Sequence, residues 1–213
     1  MIRTGLFGGS FNPAHRGHRT VSAAAIRALG LDELWWLVSP GNPLKPVEGM
    51  APLPARLASA GKLARGLPIR ATAIEQELGT RYTVDTLASL LPLYPERRFI
   101  WIMGEDNLLQ LHRWRHWRKI AQTLPIAVVS RPGYDEAAHA ARAMGWLRRF
   151  VRPADHARDW TEWRPPALVL LRQPLDPTSA TGIRAAEPDW HLSKAYSFNP
   201  RRLRDGVTRR LVT

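Results

Sequence analysis

Short apolar runs alternate with amphipathic segments along this chain, and this alternation constrains its fold more than any other feature. Each apolar run is short enough for one buried strand, and we assign strands to residues 2–7, 34–38, 69–73, 99–103, 126–130 and 167–171. The segments between them predict helices at residues 16–29, 53–65, 84–91, 114–122 and 135–144. Strands that alternate with helices form a mostly parallel sheet covered on both faces. The sequence therefore predicts a Rossmann-like, doubly wound α/β fold.

Two of these helices carry local boundary signals. Gly30 follows the first helix, at the position where a glycine commonly ends a helix. Val84, Leu87 and Leu91 repeat at helical spacing, and Thr83 before them is predicted to cap the helix N-terminus. The sequence therefore predicts where the first helix ends and where the helix at residues 84–91 begins.

The string "GLFGGSFNPAHRGHRTVSAAAIRALG", which starts at Gly5, joins the first strand to the first helix. Gly8 and Gly9 let the backbone approach a bulky group closely. His15 and His18 are three residues apart, so they lie on one face at the positive end of the helix. This arrangement suits a phosphate. Turn glycines followed by surface histidines are the alternative interpretation of the same string.

Composition narrows the class of protein. The chain has 213 residues and no cysteine, which excludes disulfides, thiolate metal sites and a cysteine nucleophile. Its first residues lack the long apolar stretch of a signal peptide, and no apolar run approaches the roughly 18 residues of a membrane span. We therefore expect a cytoplasmic protein that does not bind membranes.

The formal net charge of +13 is unusually high, and all but four of the basic residues are arginines. Such a field attracts nucleotides, nucleic acid or anionic membranes. An arginine-rich genome would produce the same charge without any function, so charge alone does not choose between these interpretations.

Two segments fit the alternating pattern poorly. Residues 146–166 are rich in arginine, tryptophan and proline, and we predict a loop-rich excursion there. Residues 189–213 form a basic C-terminal segment, whose end, "NPRRLRDGVTRRLVT", predicts a terminal helix or a frayed tail. We expect residues 1–213 to form one domain around these segments, and the sequence leaves the formation of a homo-oligomer open.

Two strings near opposite ends of the chain resemble the phosphate-binding signatures of one enzyme superfamily. "HRGH", at residues 15–18, resembles the H-x-G-H signature of the nucleotidyltransferases, and "TSATGIR", at residues 178–184, resembles their Ser-x-Thr-x-Ile-Arg signature. Many members carry a second serine where this chain has Ala180, but the hydroxyls of Ser179 and Thr181 remain. Both strings in this order favour a nucleotidyltransferase.

Four further strings narrow the resemblance to one family. "SPGNPLK", "RYTVDTL", "IMGEDNLLQLHRW" and "VVSRPGY" are similar to segments of the bacterial nicotinate-nucleotide adenylyltransferases. The resemblance extends from residue 2 to about residue 186 and is weakest at residues 146–166. It implies transfer of the adenylyl group of ATP to nicotinate mononucleotide, which gives deamido-NAD and pyrophosphate in NAD biosynthesis.

This reaction needs charge neutralisation and in-line positioning, because the attacking phosphate is already ionised and requires no general base. His15 and His18 can donate hydrogen bonds to phosphates. Arg184 has a planar guanidinium that can donate two parallel hydrogen bonds to phosphate oxygens, and Lys45 supplies a positive charge on a flexible side chain. The sequence shows no cluster of residues with metal-ligand spacing. We therefore expect no protein metal site and a Mg²⁺ ion held mainly by ATP phosphates and water.

The resemblance also implies which residues bind the two substrates. We expect ATP to contact the two signatures and the turn after the fourth strand, through Gly8, Gly9, Ser10, Phe11, Gly104, Asp106, Ser179 and Thr181. A carboxylate such as Asp106 can accept from ribose hydroxyls, although a helix cap is its alternative role. We expect nicotinate mononucleotide to contact Asn42, Thr83 and Trp114, the last by stacking on the pyridine ring. A turn residue is the alternative role of Asn42. Trp101 and Trp117 are assigned to packing.

Two other functions remain open at this point. The first is an adenylyltransferase with another acceptor, such as phosphopantetheine or nicotinamide mononucleotide, which the two signatures alone do not exclude. "RYTVDTL" and "LHRW" favour the nicotinate acceptor. The second is a nucleic-acid-binding module, which the charge and the basic tail suggest. No RNA- or DNA-binding motif is visible, so we do not expect nucleic acid to be the main partner.

Overall fold

A single seven-stranded sheet forms the centre of the molecule. The computed structural model describes residues 1–41, 49–130, 140–172 and 178–212. The strand order is β3-β2-β1-β4-β5-β7-β6, and every neighbouring pair is parallel. The strands are β1 (Ile2–Gly9), β2 (Glu33–Val38), β3 (Ile69–Thr72), β4 (Arg97–Gly104), β5 (Ile126–Ser130), β6 (Val151–Arg152) and β7 (Leu168–Arg172).

Helices connect the strands. Within the described residues they are α1 (Arg16–Leu29), α2 (Leu53–Ala64), α3 (Ile74–Glu77), α4 (Thr83–Leu90), α5 (Glu105–Gln110), α6 (Trp117–Thr123), α7 (Met144–Leu147) and α8 (Ala180–Ala186). α1 ends as the sequence predicts, because Gly30 adopts the left-handed conformation at φ 58° and ψ 48°. The first half of the helix predicted at residues 135–144, residues 135–139, lies outside the described residues.

Apolar side chains cover both faces of the sheet, which confirms the predicted doubly wound α/β fold. Neighbouring residues of β1 point to opposite faces, so Phe7 packs with α1 and α2 while Leu6 packs with α4, α5 and α6. The two faces of β4 alternate in the same way, and both are buried. Strands buried on both faces explain why the sequence shows near-continuous apolar runs rather than alternation.

Two predicted helix starts were wrong. The cap of α4 is Tyr82, which is extended at φ −109° and ψ 137°, whereas Thr83 is already the first helical residue. Its first turn closes when the N–H groups of Asp85 and Thr86 donate to the Tyr82 carbonyl. α6 begins at Trp117 rather than at residue 114, because Trp114 is itself extended after a 3₁₀ turn.

Residues 146–166 contain more regular structure than the expected loop. They form the end of α7, the edge strand β6 and a 3₁₀ helix, Ala154–Glu162. Trp160 of this helix is fully buried, and its indole N–H donates to the Leu29 carbonyl at the end of α1 over 3.0 Å. A 3₁₀ helix repeats every three residues, so the search for a 3.6-residue period missed it.

The C-terminal segment is neither a helix nor a frayed tail. It consists of short 3₁₀ turns and an antiparallel bridge between Arg204 and Leu211. Asp205 is fully buried, and its carboxylate accepts from the Thr72 hydroxyl over 2.9 Å and from the Ala73 N–H over 2.6 Å. The Gly206 N–H donates to the Ala71 carbonyl. The segment therefore covers the free edge of β3.

One finding bears on membranes. In the described parts of the chain, no helix has the length and apolar character that a membrane span needs.

Candidate functional site

A cavity of about 330 Å³ opens at the carboxyl ends of β1 and β4. These strands are neighbours at the centre of the sheet, but the chain leaves β1 toward β2 on one side and β4 toward β5 on the other. The order of strands therefore reverses here, and this is where doubly wound sheets bind ligands.

Most residues predicted for the site line this cavity. Gly8, Gly9, Ser10, His15, His18, Thr83, Gly104, Asp106, Trp114, Ser179 and Thr181 all do so. Phe11 and Arg184 are not among the described residues of the lining. Asn42 and Lys45 lie outside the described residues. The first helix start, the C-terminal signature and the turn after β4 thus meet at one opening, as the two signatures require.

The two histidines form one unit at the start of α1. Their ring centroids are 3.9 Å apart, and the His15 backbone N–H donates to Nδ1 of His18 over 3.2 Å. Because a backbone N–H can only donate, Nδ1 of His18 acts as an acceptor and the ring proton is on Nε2. His18 therefore offers an Nε2–H donor to a ligand in the cavity.

Gly17 allows the two signatures to approach each other. A Cβ atom at this position would lie 2.9 Å from the His15 ring and 3.1 Å from the Thr178 carbonyl oxygen. Neither neighbour can move without displacing a signature residue. The glycine of the H-x-G-H string is thus required by close packing, which neither signature shows alone.

Phe11 and Arg184 support the cavity from outside its lining. The Phe11 ring is buried and stacks on Trp36 with centroids 5.0 Å apart, and it contacts the His18 ring at 4.7 Å. Arg184 donates from Nη1 to the Asn12 carbonyl over 2.6 Å. This bond ties the end of the second signature to the loop that carries the first.

Ser179 caps the last helix. Its hydroxyl accepts from the Gly182 N–H over 3.1 Å, and its backbone is extended, as an N-cap requires. Thr181 lies in the first turn and is exposed, with its hydroxyl 3.5 Å from Nη2 of Arg184. Ala180, the departure from the usual signature, is the first helical residue.

The turn after β4 brings a carboxylate to the cavity. Asp106 lies in the first turn of α5 and is exposed. A Cβ atom at Gly104 would be 2.5 Å from Oδ1 of Asp106, so the glycine lets this carboxylate fold back over the end of the strand. An exposed carboxylate at a helix start can accept from hydroxyl groups of a ligand.

The other side of the cavity is aromatic. Trp114 is half-buried and meets Trp101 edge-to-face, with centroids 6.2 Å apart and an interplanar angle of 86°. Thr83 lies beside them as the first residue of α4, where helix N–H groups lack intrahelical acceptors. The prediction that Trp101 serves only packing was therefore incomplete, because Trp101 is a buried core residue that also lines the cavity.

Three arginines in the lining were missed. Arg81, Arg113 and Arg115 surround the aromatic side, and the Arg115 guanidinium lies 4.9 Å from the centroid of the Tyr82 ring. The signal was present, because Arg81 precedes "YTVDTL" and the other two flank Trp114 in "LHRWRHW". These arginines make this side of the cavity attractive to an anion.

Glu75 is the second group that sequence reasoning missed. It lines the cavity but is buried, and it accepts from the Thr86 hydroxyl over 3.1 Å. Burial raises the pKa of this carboxyl from 4.5 to about 7, although the Thr86 hydrogen bond opposes the shift. Glu75 therefore changes charge near neutral pH.

The described residues contain no group of three or more histidine, aspartate or glutamate side chains that could hold a metal ion. Carboxylates near the cavity are outnumbered by arginines.

Comparison with known proteins agrees with this geometry. Residues 6–186 match the family described as cytidylyltransferase-like. A protein of Erythrobacter litoralis named "Probable nicotinate-nucleotide adenylyltransferase" is 60% identical over 89% of this chain and 86% of its own length. A protein of Parvibaculum lavamentivorans with the same name is 52% identical over 86% of this chain and 91% of its own length.

A solved structure has the same fold. It is the nicotinic acid mononucleotide adenylyltransferase of Plasmodium falciparum complexed with NaAD, with a TM-score of 0.63 and 15% identity over 87% of this chain and 83% of that one. With these relatives, the fold and the site define a nucleotidyltransferase, in which the two signature strings meet at the switch point of a parallel sheet. At the identities above, the chain belongs to the nicotinate-nucleotide adenylyltransferase family.

Proposed function

We propose that this cavity transfers the adenylyl group of ATP to nicotinate mononucleotide, forming deamido-NAD and pyrophosphate in NAD biosynthesis. One observation carries the proposal: the two signatures, from opposite ends of the chain, meet at a single cavity through the contacts of Gly17 and Arg184. We infer a cytoplasmic location for the enzyme.

In this reaction an oxygen of the acceptor phosphate attacks the α-phosphorus of ATP. The bond from that phosphorus to the oxygen bridging the α- and β-phosphates breaks, and pyrophosphate leaves with its electron pair. The nucleophile is already ionised, so the protein needs to align the two phosphates and neutralise their charge.

The residues of the two signatures suit these tasks. His18 donates from Nε2, and His15 holds it in the required tautomer through its backbone N–H. Arg184 is anchored by one nitrogen on the Asn12 carbonyl and keeps further N–H donors for the β- and γ-phosphates. Lys45, in the segment after β2, supplies a further positive charge to the triphosphate. Gly8, Gly9, Ser10, Ser179 and Thr181 provide backbone and hydroxyl donors around it.

Nucleotidyl transfer from a nucleoside triphosphate typically uses a divalent cation, and we propose Mg²⁺ for this chain. The scarcity of carboxylates around the cavity fits an ion bound mainly by ATP phosphates and water rather than by side chains. When bound, this ion neutralises part of the phosphate charge. Asp106 remains available to accept from the adenosine ribose.

The acceptor is proposed to occupy the aromatic side. The pyridine ring stacks on Trp114, Asn42 contacts the nucleotide, and the nicotinate carboxylate accepts from N–H groups at the start of α4, near Thr83. Arg81, Arg113 and Arg115 add positive charge on this side. A carboxamide carries its own NH₂ group, which would face these donors and leave one unpaired at a cost of about 1–3 kcal/mol.

An assay with a panel of acceptors tests this proposal. The protein is incubated with ATP, Mg²⁺ and either nicotinate mononucleotide, nicotinamide mononucleotide or phosphopantetheine, and the products are identified. We expect deamido-NAD, with kcat/KM for the acid at least about tenfold higher than for the amide. Equal kcat/KM for the acid and the amide would mean that nicotinamide mononucleotide is also an acceptor. A product formed only from phosphopantetheine would make phosphopantetheine the acceptor.

A further inference from the structure

A second and larger cavity, of about 630 Å³, lies between α2, β3 and the C-terminal segment. We call it the basic groove. It shares no lining residue with the first cavity among the described residues. One wall comes from α2 and β3, and the other comes from residues 198–209, which lie beyond the region that matches the cytidylyltransferase-like family. The groove is thus built partly outside the shared catalytic unit.

The groove concentrates positive charge. Its lining contains six cationic side chains and, among the described residues, no carboxylate: Lys62, Arg65, Arg70, Arg202, Arg204 and Arg209. Cations held around one concave surface repel each other, and low-dielectric walls strengthen the field that they create. Such a site favours a ligand with several negative charges.

Three of these cations have hydrogen-bond or ion-pair partners in the described part of the chain, and the other three have none there. Nε of Arg70 lies 2.7 Å from Glu33, Lys62 donates to the Ser197 carbonyl over 2.6 Å, and Arg204 donates to the Arg209 carbonyl over 3.2 Å. The guanidinium groups of the remaining three have no hydrogen bond or ion pair with any described residue. These are Arg65 at the end of α2, and Arg202 and Arg209 on the opposite wall.

Between these charged walls the groove has an apolar floor. Leu57, Ile69 and Leu203 contribute to it, and the half-buried ring of Phe198 lies at its side. A ligand that fits must therefore combine a multiply charged part with a flat, less polar part. A nucleotide has both, because its base can stack on an aromatic ring while its phosphates meet arginines.

The far wall is held in place by buried contacts. The Asp205 carboxylate accepts from Thr72, from Ala73 and from the N–H groups of Val207 and Thr208, all within 2.9 Å. A Cβ atom at Gly206 would lie 2.5 Å from the Ala71 carbonyl oxygen, so this turn sits directly on β3. These contacts fix the turn around Asp205. Arg202 and Arg204 precede the buried carboxylate in this turn, and Arg209 follows it.

We propose that the basic groove is a second nucleotide site, which binds a nucleoside diphosphate or triphosphate apart from the catalytic cavity. The phosphates contact Arg65, Arg202 and Arg209, and the base lies against Phe198. The volume of the groove is within the range of about 300–1,000 Å³ that is typical of small-molecule sites. A groove of this volume favours a free nucleotide over a strand of nucleic acid, whose backbone needs an extended track of charge.

A fluorescent label can report on the groove alone, because the chain has no cysteine. Gly61 lines the groove and a Cβ atom there meets open space, so Gly61→Cys accepts a label without distortion. Gly145→Cys is the matched control, since a Cβ atom there also meets open space and the residue lines neither cavity. ADP, AMP, adenosine and pyrophosphate are the probes, titrated into the full chain at low and high salt.

The proposal expects saturable binding of ADP at the Gly61 label but not at the Gly145 label. Adenosine should bind far more weakly than ADP, and salt should weaken the binding of ADP. In the Gly61→Cys background, the pair Arg65→Gln and Arg202→Gln should raise the Kd for ADP at least about tenfold, because it removes one unpaired cation from each wall.

Two control variants separate the groove from general charge effects. Arg148→Gln with Arg201→Gln removes the same net charge from exposed positions outside the groove, and should leave the Kd unchanged. Adenylyl transfer without added ADP should match the unsubstituted chain in both pairs. If the fluorescence of the Gly61 label does not change at millimolar ADP, the proposal is contradicted. An equal loss of ADP affinity in the two double variants would also contradict it. Binding of a single-stranded oligonucleotide at this label more tightly than ADP would assign the groove to nucleic acid instead.

Discussion

At the scale of the residue, the site depends on contacts that hold a few side chains in one state. The His15 backbone N–H makes Nδ1 of His18 an acceptor, so His18 keeps a donor on Nε2 without becoming charged. Arg184 uses one nitrogen to hold the Asn12 carbonyl. In both His18 and Arg184, one nitrogen is engaged by the loop that carries the first signature, and the side chain has a further donor nitrogen.

Arg184→Lys tests whether the shape of the guanidinium matters in addition to its charge. We expect both ATP affinity and turnover to fall, with turnover reduced about tenfold or more, because a lysine cannot hold Asn12 and two phosphate oxygens together. Steady-state kinetics measure the effect. Arg201→Lys, an exposed arginine in the C-terminal segment, is the control. Full activity in the Arg184→Lys variant would mean that Arg184 contributes only its positive charge.

Trp114→Ala tests the stacking of the acceptor. Stacking on an aromatic side chain is worth about 1–3 kcal/mol by alanine substitution, so the KM for nicotinate mononucleotide should rise about fivefold to a hundredfold. The KM for ATP should change little. Trp117→Ala is the matched control, because that ring packs edge-to-face on Trp146 and is outside the described lining of the cavity. Equal effects on both substrates would make Trp114 a packing residue.

Glu75 predicts a pH dependence of stability. Its folded pKa of about 7 is above the ordinary value of 4.5, so the folded state binds a proton that the unfolded state releases. The free energy of unfolding should therefore fall as pH rises from 4.5 to 7, and this contribution should stay constant above pH 7. The full effect is on the order of 3 kcal/mol.

Glu75→Gln removes this contribution and keeps an oxygen that accepts from Thr86. Denaturant unfolding should show a larger gain in stability, relative to the unsubstituted chain, at roughly pH 8 than at roughly pH 5. Glu162→Gln, at an exposed position, should show no such difference. The same gain at both pH values would mean that the Glu75 carboxyl titrates as in the unfolded chain.

At the scale of the element, the sequence predicted the strands of the sheet well, with the exception of the short edge strand β6. Their apolar runs are continuous because both faces are buried, and helix α1 has its predicted bounds because Gly30 ends it. Chain regions that lack a 3.6-residue or two-residue period were missed. The 3₁₀ helix Ala154–Glu162 and the C-terminal segment are held by long-range contacts, which include those of Trp160 with Leu29 and of Asp205 with Thr72.

Site prediction has the same limit. The two signatures predicted one side of the cavity, because short motifs can be recognised locally in the sequence. The bond from Arg184 to Asn12 spans 172 residues, and no local pattern shows it. Glu75 was missed because a single glutamate in a helical segment looks like a surface residue until its burial is known.

Asp205→Ala tests the anchor of the C-terminal segment. It removes four hydrogen bonds from a buried carboxylate and leaves their donors without an acceptor, so we expect a loss of about 2–4 kcal/mol in the free energy of unfolding. Residues 198–212 should also become sensitive to limited proteolysis. Asp189→Ala, at an exposed position in the same segment, is the control. An unchanged stability and cleavage pattern would contradict this role of Asp205.

At the scale of the whole molecule, positive charge is gathered at two separate places. Arg81, Arg113 and Arg115 face the catalytic cavity, and the basic groove holds a second group. The two places hold nine of the 31 lysine and arginine side chains behind the net charge of +13. Nucleic-acid binding through many phosphates would instead fall steeply with salt, whereas turnover in a pocket should fall much less.

The central claim is that the H-x-G-H pair at the switch point carries adenylyl transfer, and His18→Ala tests it most directly. Turnover of ATP and nicotinate mononucleotide is measured alongside unfolding, with His156→Ala at an exposed position as the control. The loss of a donor to the transition-state phosphate should lower kcat about a hundredfold or more while the fold stays intact. Turnover close to that of the unsubstituted chain, in a folded His18 variant, would contradict the account.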